Sequence, residues 1–408
     1  MASDHYFSSN RAMKSLQEKP VSASEEETKQ VIRLPNGMVG REFSALLTGH
    51  LTESGKLSEC ENMPLGLAWV EGVLCGVPEQ AGEFELAMGS YIITLTIHAD
   101  PRSLWKNLPS DHEDPFWKAD SVTEFLENGP LTVVGASLRG RSHAHVGSFR
   151  DDDLALAWFP NGSWYSLTVA DGAGSASLSR QGSKIACDAV KQHFAQYFAT
   201  ADHGLSQTDS ADELHMELCL QFKNAAQVAR QKIEEQAGLL GKECRDFHTT
   251  LITALMRPLP DGQWFIATFS VGDGAAALVS VAGGAPCLLT CPDAGEYAGQ
   301  TVFLTMPEVI GTVEAVAGRI QTAVISDFEA LLLVTDGVSD PCFESESALA
   351  DPVAWAALWG ELATLLVDAN SPSTAAELIL RWLEFHSPGH HDDRTLVLAS
   401  PRLKFPPR

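Results

Sequence analysis

Four short stretches of the chain each place an aspartate where a β-prone run gives way to a turn. Mg²⁺ and Mn²⁺ take oxygen ligands in near-octahedral geometry, so carboxylates without cysteine or histidine spacing favour these ions over zinc. The fold must then bring strand ends that are far apart in sequence to one place. A centre of this kind typically carries out phosphate chemistry. The stretches read Arg150-Asp151-Asp152-Asp153, Val169-Ala170-Asp171-Gly172-Ala173-Gly174, Val334-Thr335-Asp336-Gly337-Val338-Ser339-Asp340 and His391-Asp392-Asp393-Arg394-Thr395.

The length and charge of the chain restrict its class. At 408 residues it is too long for one ordinary core, and about two or three domains are expected. A net charge of −25 argues against nucleic acid and against an anionic membrane as partners. The long uncharged window over residues 274–292 contains Gly283-Gly284 and Pro286, so we interpret it as a buried hairpin and expect no transmembrane helix.

The cysteines and the N-terminus favour a cytoplasmic protein with reduced thiols. The N-terminus carries no apolar signal segment, and none of the eight cysteines belongs to a C-x-x-C pair. The cysteines are Cys60, Cys75, Cys187, Cys219, Cys244, Cys287, Cys291 and Cys342.

The N-terminal part of the chain predicts a small β domain. Residues 1–30 are polar and lack periodicity, which is typical of a disordered leader. Over residues 31–100, β-prone runs alternate with Gly and Pro turns and predict an all-β sandwich. The runs are 43–47, 67–70, 84–88 and 91–97. Residues 101–130 contain Trp105 and Trp117, so we expect a linker that packs at the domain junction.

Three motifs within residues 31–100 carry a family likeness. They are Pro64-Leu65-Gly66-Leu67, Gly72-Val73-Leu74-Cys75-Gly76-Val77-Pro78 and Ala81-Gly82-Glu83-Phe84. With these motifs the segment resembles the bacterial immunoglobulin-like repeat. The resemblance implies a docking role, with a passive spacer as the alternative, and the docking partner is unknown.

Strand-like and helical runs alternate in blocks over residues 131–402. Strands are predicted over 131–136, 154–158, 165–170, 264–271, 275–281, 331–335 and 395–399, and helices over 183–201, 211–235, 353–368 and 373–386. Two groups of strands with helices outside them predict packed antiparallel sheets in an α+β layered sandwich. In such a fold the strand ends of both sheets can meet at one edge.

The same segment carries motifs in a fixed order, although a single D-G dipeptide is usually only a turn. The motifs are Gly135-Ala136-Ser137 with Ser142-His143, Gly147 and Asp152, then Asp171-Gly172-Ala173-Gly174, Gly272-Asp273-Gly274, Glu296-Tyr297-Ala298 with Thr301, Thr335-Asp336-Gly337 with Asp340, and His391-Asp392-Asp393-Arg394-Thr395. With them the chain resembles the bacterial branch of the metal-dependent protein phosphatase 2C family. The resemblance implies the α-β-β-α layered sandwich of that family.

The resemblance also implies a serine/threonine protein phosphatase that uses a metal-activated water at a binuclear Mg²⁺ or Mn²⁺ centre, with a third, weaker ion in some members. Asp152, Asp171 and His143 are the catalytic candidates, with Asp171 bridging the ions. The implied metal ligands are Asp152, Asp171, the Gly172 carbonyl, Asp336, Asp392, Asp273 and Asp340. The implied partner is a phosphoprotein modified by a serine/threonine kinase.

Departures from the family pattern leave two roles open. Ala173 stands where many relatives have a histidine that protonates the leaving oxygen, so His143, His145 or a metal-bound water is the candidate acid. Gly147 stands where the family has its phosphate-binding arginine, and the nearby substitutes are Arg139, Arg141 and Arg150. The alternative is therefore a catalytically weak or inactive scaffold that keeps the phosphatase fold.

Overall fold

The structure is a computed structural model that separates into two compact units, Met1–Leu104 and Trp105–Arg408. It describes residues 30–47, 62–88, 91–100, 105–127, 130–200, 204–206, 210–280, 288–290 and 301–405. The predicted leader apart from Gln30, the Gly283-Gly284 turn, the Glu296-Tyr297-Ala298 motif and the cysteines Cys60, Cys287 and Cys291 lie outside the described residues.

Strands and helices alternate along the described chain. The strands are β1 Gln30–Arg33, β2 Gly37–Met38, β3 Phe43–Leu46, β4 Leu67–Val70, β5 Val73–Gly76, β6 Gly82–Met88, β7 Tyr91–His98, β8 Ser121–Leu126, β9 Thr132–Leu138, β10 Asp153–Phe159, β11 Trp164–Ala170, β12 Leu251–Pro258, β13 Trp264–Val271, β14 Ala275–Ser280, β15 Ile320–Ile325, β16 Phe328–Val334 and β17 Arg394–Ser400. The helices are α1 Arg141–Val146, α2 Ser179–Ala199, α3 Ala211–Leu240, α4 Val313–Ala317, α5 Asp336–Cys342, α6 Glu346–Leu349, α7 Pro352–Leu366 and α8 Pro372–Trp382, with 3₁₀ turns at Gly204–Ser206 and Cys244–Phe247.

The N-terminal unit is an all-β sandwich, as the turn-punctuated sequence predicts. In one sheet β7 pairs antiparallel with β6 and parallel with β1 and β2, and in the other β5 pairs antiparallel with β3 and β4. Strand β3 alternates buried Phe43 and Ala45 with exposed neighbours, the period of a half-buried strand. Both sheets contribute to one apolar core with Leu74 and Ile93 at its centre. The immunoglobulin-like identity of this sandwich stays a prediction.

The second unit is the predicted α-β-β-α sandwich. One antiparallel sheet has the order β10-β11-β12-β13-β15, and the other has the order β14-β16-β17-β9-β8. Their facing sides share one core, in which Leu167 of the first sheet joins Leu331 of the second. Helices α2 and α3 cover the outer side of the first sheet, and α7 and α8 cover that of the second. Because both faces of each sheet are covered, central strands such as β11 are buried throughout and show no alternation.

The N-terminal strands β1, β2 and β5 were not predicted, and in the second unit the structure differs from the predicted strands at β8, β12 and β15. Strand β8, which lies within the predicted linker, pairs antiparallel with β9 and forms an edge of the second sheet. As an edge strand β8 is only half-buried, and its sequence accordingly lacks the continuous apolar run that predicts a central strand. Strands β12 and β15 were not predicted, because a short apolar run such as that of β12 has no periodicity that separates strand from helix. Residues 251–258 form strand β12 because they pair with both β11 and β13.

Within the described part of the chain, none of the helices combines the length and the apolar composition that are required to cross a lipid bilayer. Five of the cysteines fall in the described residues, and each is a free thiol. They are Cys75, Cys187, Cys219, Cys244 and Cys342.

Candidate metal centre

Strand pairing places the predicted aspartates at one edge of the sandwich. Asp152 directly precedes β10 and Asp171 directly follows β11, and these strands pair antiparallel with Asp153 opposite Ala170. Two antiparallel neighbours therefore present one start and one end at the same edge. The second sheet repeats the arrangement, because Asp336 follows β16 and Asp392 precedes its antiparallel partner β17. Asp273 lies in the connection from β13 to β14, which joins the two sheets.

The carboxylates from the two sheets meet in one cluster. Oxygens of Asp171, Asp273 and Asp336 all lie within 4.8 Å of one another. Beside them is a cavity of about 350 Å³ lined by Asp336, Asp340 and Asp392. Because the charges of Asp152 and Asp392 also act on Asp171, the structure brings all six predicted acidic ligands together.

Two buried carboxylate oxygens in this cluster have no hydrogen-bond partner among the residues that the structure describes. Asp152 is 1% exposed, and its Oδ2 accepts hydrogen bonds from the hydroxyls of Thr335 (2.8 Å) and Thr395 (2.7 Å). Its Oδ1 is buried without a hydrogen bond among the described residues, and so is Oδ1 of Asp273. A buried polar atom is unfavourable unless it is paired. Hard oxygen donors left open in an acidic cluster fit divalent ions of the Mg²⁺ and Mn²⁺ type.

Burial and mutual repulsion raise the pKa of these carboxyl groups. The pKa of Asp171 rises well above its usual value because of burial and then the charges of Asp336, Asp152 and Asp392. Burial and the charges of Asp273 and Asp392 act likewise on the pKa of Asp336. For Asp152, burial followed by the charge of Asp393 raises the pKa to about 7. Without cations the cluster is therefore an unfavourable concentration of negative charge.

Metal-free Asp152→Asn protein is expected to be more stable than the parent, by a margin that grows as the pH rises from about 4 to about 7. In the folded state Asp152 has a pKa of about 7, above the usual aspartate pKa of 3.8, so the folded parent retains a proton that the unfolded chain has released. The stability that neutral Asp152 contributes is thus present at low pH and is lost as the pH rises through about 7. The measurement is the free energy of unfolding by urea in EDTA across this range.

Saturating Mn²⁺ supplies the control for that comparison. Metal that binds the folded parent stabilises it by mass action, whereas the variant has lost a ligand, so the order of stability should reverse. A difference between parent and variant that does not change with pH in EDTA would contradict the electrostatic account of Asp152.

The glycines of the D-G motifs have a steric reason in this structure. A Cβ atom at Gly337 would lie 1.8 Å from the carbonyl oxygen of Asp393, and one at Gly172 would lie 2.7 Å from the carbonyl oxygen of Asp151. Both positions therefore exclude a side chain, because the loops that carry the carboxylates pass in direct backbone contact. The Gly172 carbonyl, a predicted ligand, follows Asp171 in the segment that bridges to Thr249.

Asp393 holds the ligand-bearing backbone together, a role that sequence reasoning missed. It is 2% exposed, and its Oδ1 accepts from the Gly140 amide at 2.5 Å. Its Oδ2 accepts from the amides of Asp151 and Asp152, the second at 3.3 Å. Burial alone would raise the pKa of Asp393, but the hydrogen bond and charge of His143 lower it. The only sequence signal for this role was the second acidic residue of the closing motif, directly after Asp392.

The imidazole of His143 lies between Asp393 and the predicted ligand Asp392. Its Nδ1 is 2.7 Å from the Phe149 carbonyl oxygen and 3.1 Å from Asp393 Oδ1, and its Nε2 is 3.7 Å from Asp392 Oδ1. Burial lowers the pKa of His143, but Asp393 outweighs burial and raises the pKa to about 10. In the metal-free protein these carboxylates favour the protonated imidazole of His143 beside the cluster. Nδ1 of His145 lies 3.1 Å from the Lys106 amide instead.

The three candidate phosphate-binding arginines occupy different settings. Arg139 has a side chain that is 3% exposed, and it donates to the carbonyls of Ser148 and Leu108. Arg150, 4% exposed, donates to the carbonyls of Ala119 and Asp152. Both guanidinium groups are committed to the protein interior. Arg141 on α1 is only partly buried, with NH1 3.4 Å from His386 Nδ1.

A buried lysine below the cluster also escaped sequence reasoning. Nζ of Lys118 donates to the Asp152 carbonyl at 2.7 Å and pairs with Asp153 at 3.0 Å. Burial lowers the pKa of Lys118, and the charge of Asp153 opposes that effect. Lys118 lies in a segment without a motif, so only tertiary contact reveals that it fixes the start of β10.

Comparison with known proteins places this site in a family. A model of the family described as Protein phosphatase 2C matches residues 139–384, more than half of the chain, and the chain belongs to that family. Serine/threonine-protein phosphatase 3 of Escherichia coli (strain K12) is 28% identical over 185 residues, which are 45% of this chain and 66% of that protein. The match thus spans just under two thirds of this relative.

Among the solved structures that match the chain are two phosphatases. The serine/threonine phosphatase Stp1 from Staphylococcus aureus is 14% identical, with 72% of this chain and 96% of that chain covered and a TM-score of 0.37. The serine-threonine phosphatase 2C from Toxoplasma gondii is 14% identical, with 68% and 99% covered and a TM-score of 0.42.

Proposed function

We propose that this protein is a metal-dependent phosphatase that hydrolyses phosphoserine and phosphothreonine in proteins. The observation that carries the proposal is the cluster in which oxygens of Asp171, Asp273 and Asp336 lie within 4.8 Å of one another beside an open cavity. Membership in the protein phosphatase 2C family supports the same activity. It disfavours a scaffold that has only kept the fold.

The acidic residues are proposed to hold two Mg²⁺ or Mn²⁺ ions, with a third, weaker ion near Asp273 and Asp340. Divalent ions in such a centre lower the pKa of a bound water and neutralise the charge of the phosphoryl group. Asp171 is the proposed bridging ligand. Its carboxylate lies in the cluster with those of Asp273 and Asp336, and hydrogen bonds to its backbone hold the residue in position. Its carbonyl accepts from the Thr250 amide and the Thr249 hydroxyl, each at 2.8 Å.

His143 and Arg141 are proposed to serve the substrate. Nε2 of His143 lies at the Asp392 side of the cluster, where a protonated imidazole can donate to the leaving oxygen. Ala173 is buried, and Gly147 has a left-handed φ of 73° that ends α1, so neither position suits the larger family residue. With Arg139 and Arg150 bonded inside the protein, Arg141 is the remaining candidate for binding phosphate.

Removal of metal is expected to abolish activity reversibly. Hydrolysis of a phosphothreonine peptide should fall to the background rate in EDTA and return when Mn²⁺ or Mg²⁺ is added, because the open carboxylates alone repel the phosphate dianion. Phosphate release is the measurement. A matched peptide with unphosphorylated threonine controls for contaminating phosphate, and EDTA-insensitive hydrolysis would contradict the proposal.

Four further features are proposals of the same kind. The substrate would be a protein modified by a serine/threonine kinase, and the protein would act in the cytoplasm, in agreement with its free thiols. The N-terminal sandwich would be an immunoglobulin-like docking module. The segments 1–30, 31–100, 101–130 and 131–402 are the proposed organisation, with β8 as the part of the third segment that joins the catalytic sandwich.

A further inference from the structure

Hydrogen bonds hold Asp152 at all of its polar atoms except one. Its amide lies 3.3 Å from Asp393 Oδ2, and its own Oδ2 accepts from the hydroxyls of Thr335 and Thr395. Its carbonyl accepts from Nζ of Lys118 at 2.7 Å. Only Oδ1 has no hydrogen-bond partner among the described residues. A metal ligand whose other atoms are fixed in this way presents its open oxygen in one position, which is the preorganisation that a metal site requires.

Lys118 ties this proposed ligand to helix α2. Its Nζ lies 3.4 Å from both the Arg180 carbonyl and the Ser183 hydroxyl, which belong to the first turns of α2. Its side chain is 5% exposed, and the carboxylate of Asp153 lies 3.0 Å from Nζ. A buried ammonium group needs such partners for its three N–H donors. A single cation therefore joins the start of β10 to α2 at the backbone of Asp152.

The segment that carries Lys118 is anchored on both sides of this residue. Nε of Arg180 donates to the Phe116 carbonyl at 3.0 Å, and Nε of Arg150 donates to the Ala119 carbonyl at 3.1 Å. Both arginines are buried, so these bonds are shielded from water. The backbone around Lys118 is thereby fixed, and its ammonium group has a rigid base from which to hold β10.

A simpler role for Lys118 would be to neutralise Asp153. A carboxylate with a side chain that is only 14% exposed is unfavourable without a cation beside it. That role alone predicts that replacement of Lys118 lowers stability, and that metal binding is unaffected once Asp153 is neutral as well. The bond to the Asp152 carbonyl predicts that metal binding remains weakened. The two roles therefore separate in a double variant.

We propose that Lys118 is a positioning residue for the metal centre and that it acts through Asp152. The inference rests on the proposed phosphatase function and deepens it, because it names a residue that sets the affinity of the centre for Mn²⁺ or Mg²⁺. Lys118 holds the backbone, and Asp152 supplies the open oxygen. Position 118 precedes residue 139, at which the match to the family model begins, so this support comes from outside the matched segment.

The test removes the ammonium group from a protein in which Asp153 is already neutral. Asp153→Asn, which keeps Lys118, is compared with Lys118→Met/Asp153→Asn. The double variant should bind Mn²⁺ about tenfold more weakly by calorimetry, near the lower end of the range for groups that support a metal ligand, because Arg150 still donates to the Asp152 carbonyl at 2.5 Å. At limiting Mn²⁺, kcat for a phosphothreonine peptide should fall to a similar extent, with KM for the peptide unchanged.

Thermal denaturation separates this effect from a loss of folding. Lys118→Met alone should melt at a lower temperature than Lys118→Met/Asp153→Asn, since it leaves a buried carboxylate without its cation. If the double variant with asparagine does not fold, Lys118→Met/Asp153→Leu makes the same comparison against wild-type protein with an apolar pair of similar shape. It should also bind Mn²⁺ about tenfold more weakly.

Lys184→Met/Asp188→Asn is the matched control, because it removes a lysine–aspartate pair with a separation of 2.7 Å from the exposed surface of the same helix. It should leave Mn²⁺ affinity and turnover unchanged. Undiminished Mn²⁺ affinity in the folded double variant at positions 118 and 153 would overturn the positioning role and leave only neutralisation of Asp153. If wild-type protein neither bound Mn²⁺ nor hydrolysed the peptide, the proposed phosphatase function itself would be wrong.

Discussion

Asp171→Asn is expected to lower turnover of a phosphothreonine peptide by a factor on the order of 10²–10³ in saturating Mn²⁺. Asp171 contributes to the cluster that also includes Asp273 and Asp336, and its pKa is raised by burial and then by the charges of the surrounding carboxylates. Asparagine keeps the size of the side chain but removes the charge that holds a divalent ion. Steady-state phosphate release, with Mn²⁺ affinity from calorimetry, measures the effect.

Asp188→Asn is the matched control for that experiment. Asp188 is exposed on α2, where its carboxylate pairs with Lys184 at 2.7 Å. It is not one of the proposed metal ligands. Its replacement should leave turnover unchanged. Unchanged turnover in Asp171→Asn would remove the basis for a metal centre at this edge of the sandwich. Loss of thermal stability in the same variant would show that the substitution disturbed folding and not metal binding.

Gly337→Ala is expected to destabilise the catalytic unit by about 3 kcal/mol and to reduce activity with it. The added Cβ would lie 1.8 Å from the carbonyl oxygen of Asp393, an atom of the backbone that cannot rotate away. Separation of the two loops would also displace Asp336 from Asp392. Urea denaturation measures the stability, and Mn²⁺-dependent hydrolysis measures the accompanying loss.

Gly360→Ala makes the same chemical change where the chain has room. Gly360 is exposed in the middle of α7, and nothing lies within 4 Å of a Cβ atom built there. Alanine should therefore stabilise that helix by about 0.5–1 kcal/mol. If Gly337→Ala were tolerated as well as Gly360→Ala, the close contact between the D-G loop and the closing motif would not be the reason that glycine is required at position 337.

The acidic cluster was predictable from sequence to the level of individual residues. Aspartates before and after β-prone runs are local signals, and antiparallel pairing of neighbouring strands brings such ends to one edge. Asp152, Asp171, Asp336 and Asp392 accordingly lie where the sequence places them. Strand β12 illustrates the opposite case, because its short apolar run predicts strand and helix equally until its neighbours pair with it.

The choice among the arginines was beyond the sequence. Arg139, Arg141 and Arg150 all precede Asp152 within one short stretch of the chain, and only tertiary contacts bury Arg139 and Arg150 on backbone carbonyls. The supporting partners of the carboxylates were equally invisible. Thr335 follows the C-terminal end of β16, and Thr395 lies near the N-terminal end of its antiparallel partner β17. Both hydroxyls donate to the same oxygen of Asp152.

The sequence by itself predicted the two-sheet architecture and the phosphatase family, because strand patterning and the order of the motifs are local features of the chain, and it named aspartates that the fold brings to one edge of the sandwich. The tertiary structure alone decided what surrounds those carboxylates: the buried Lys118, the backbone-binding Asp393, the enclosed arginines and Trp105 at the wall of the cavity. Burial and long-range proximity set the charge and hydrogen-bonding state of each group, and these arise only when distant segments pack together.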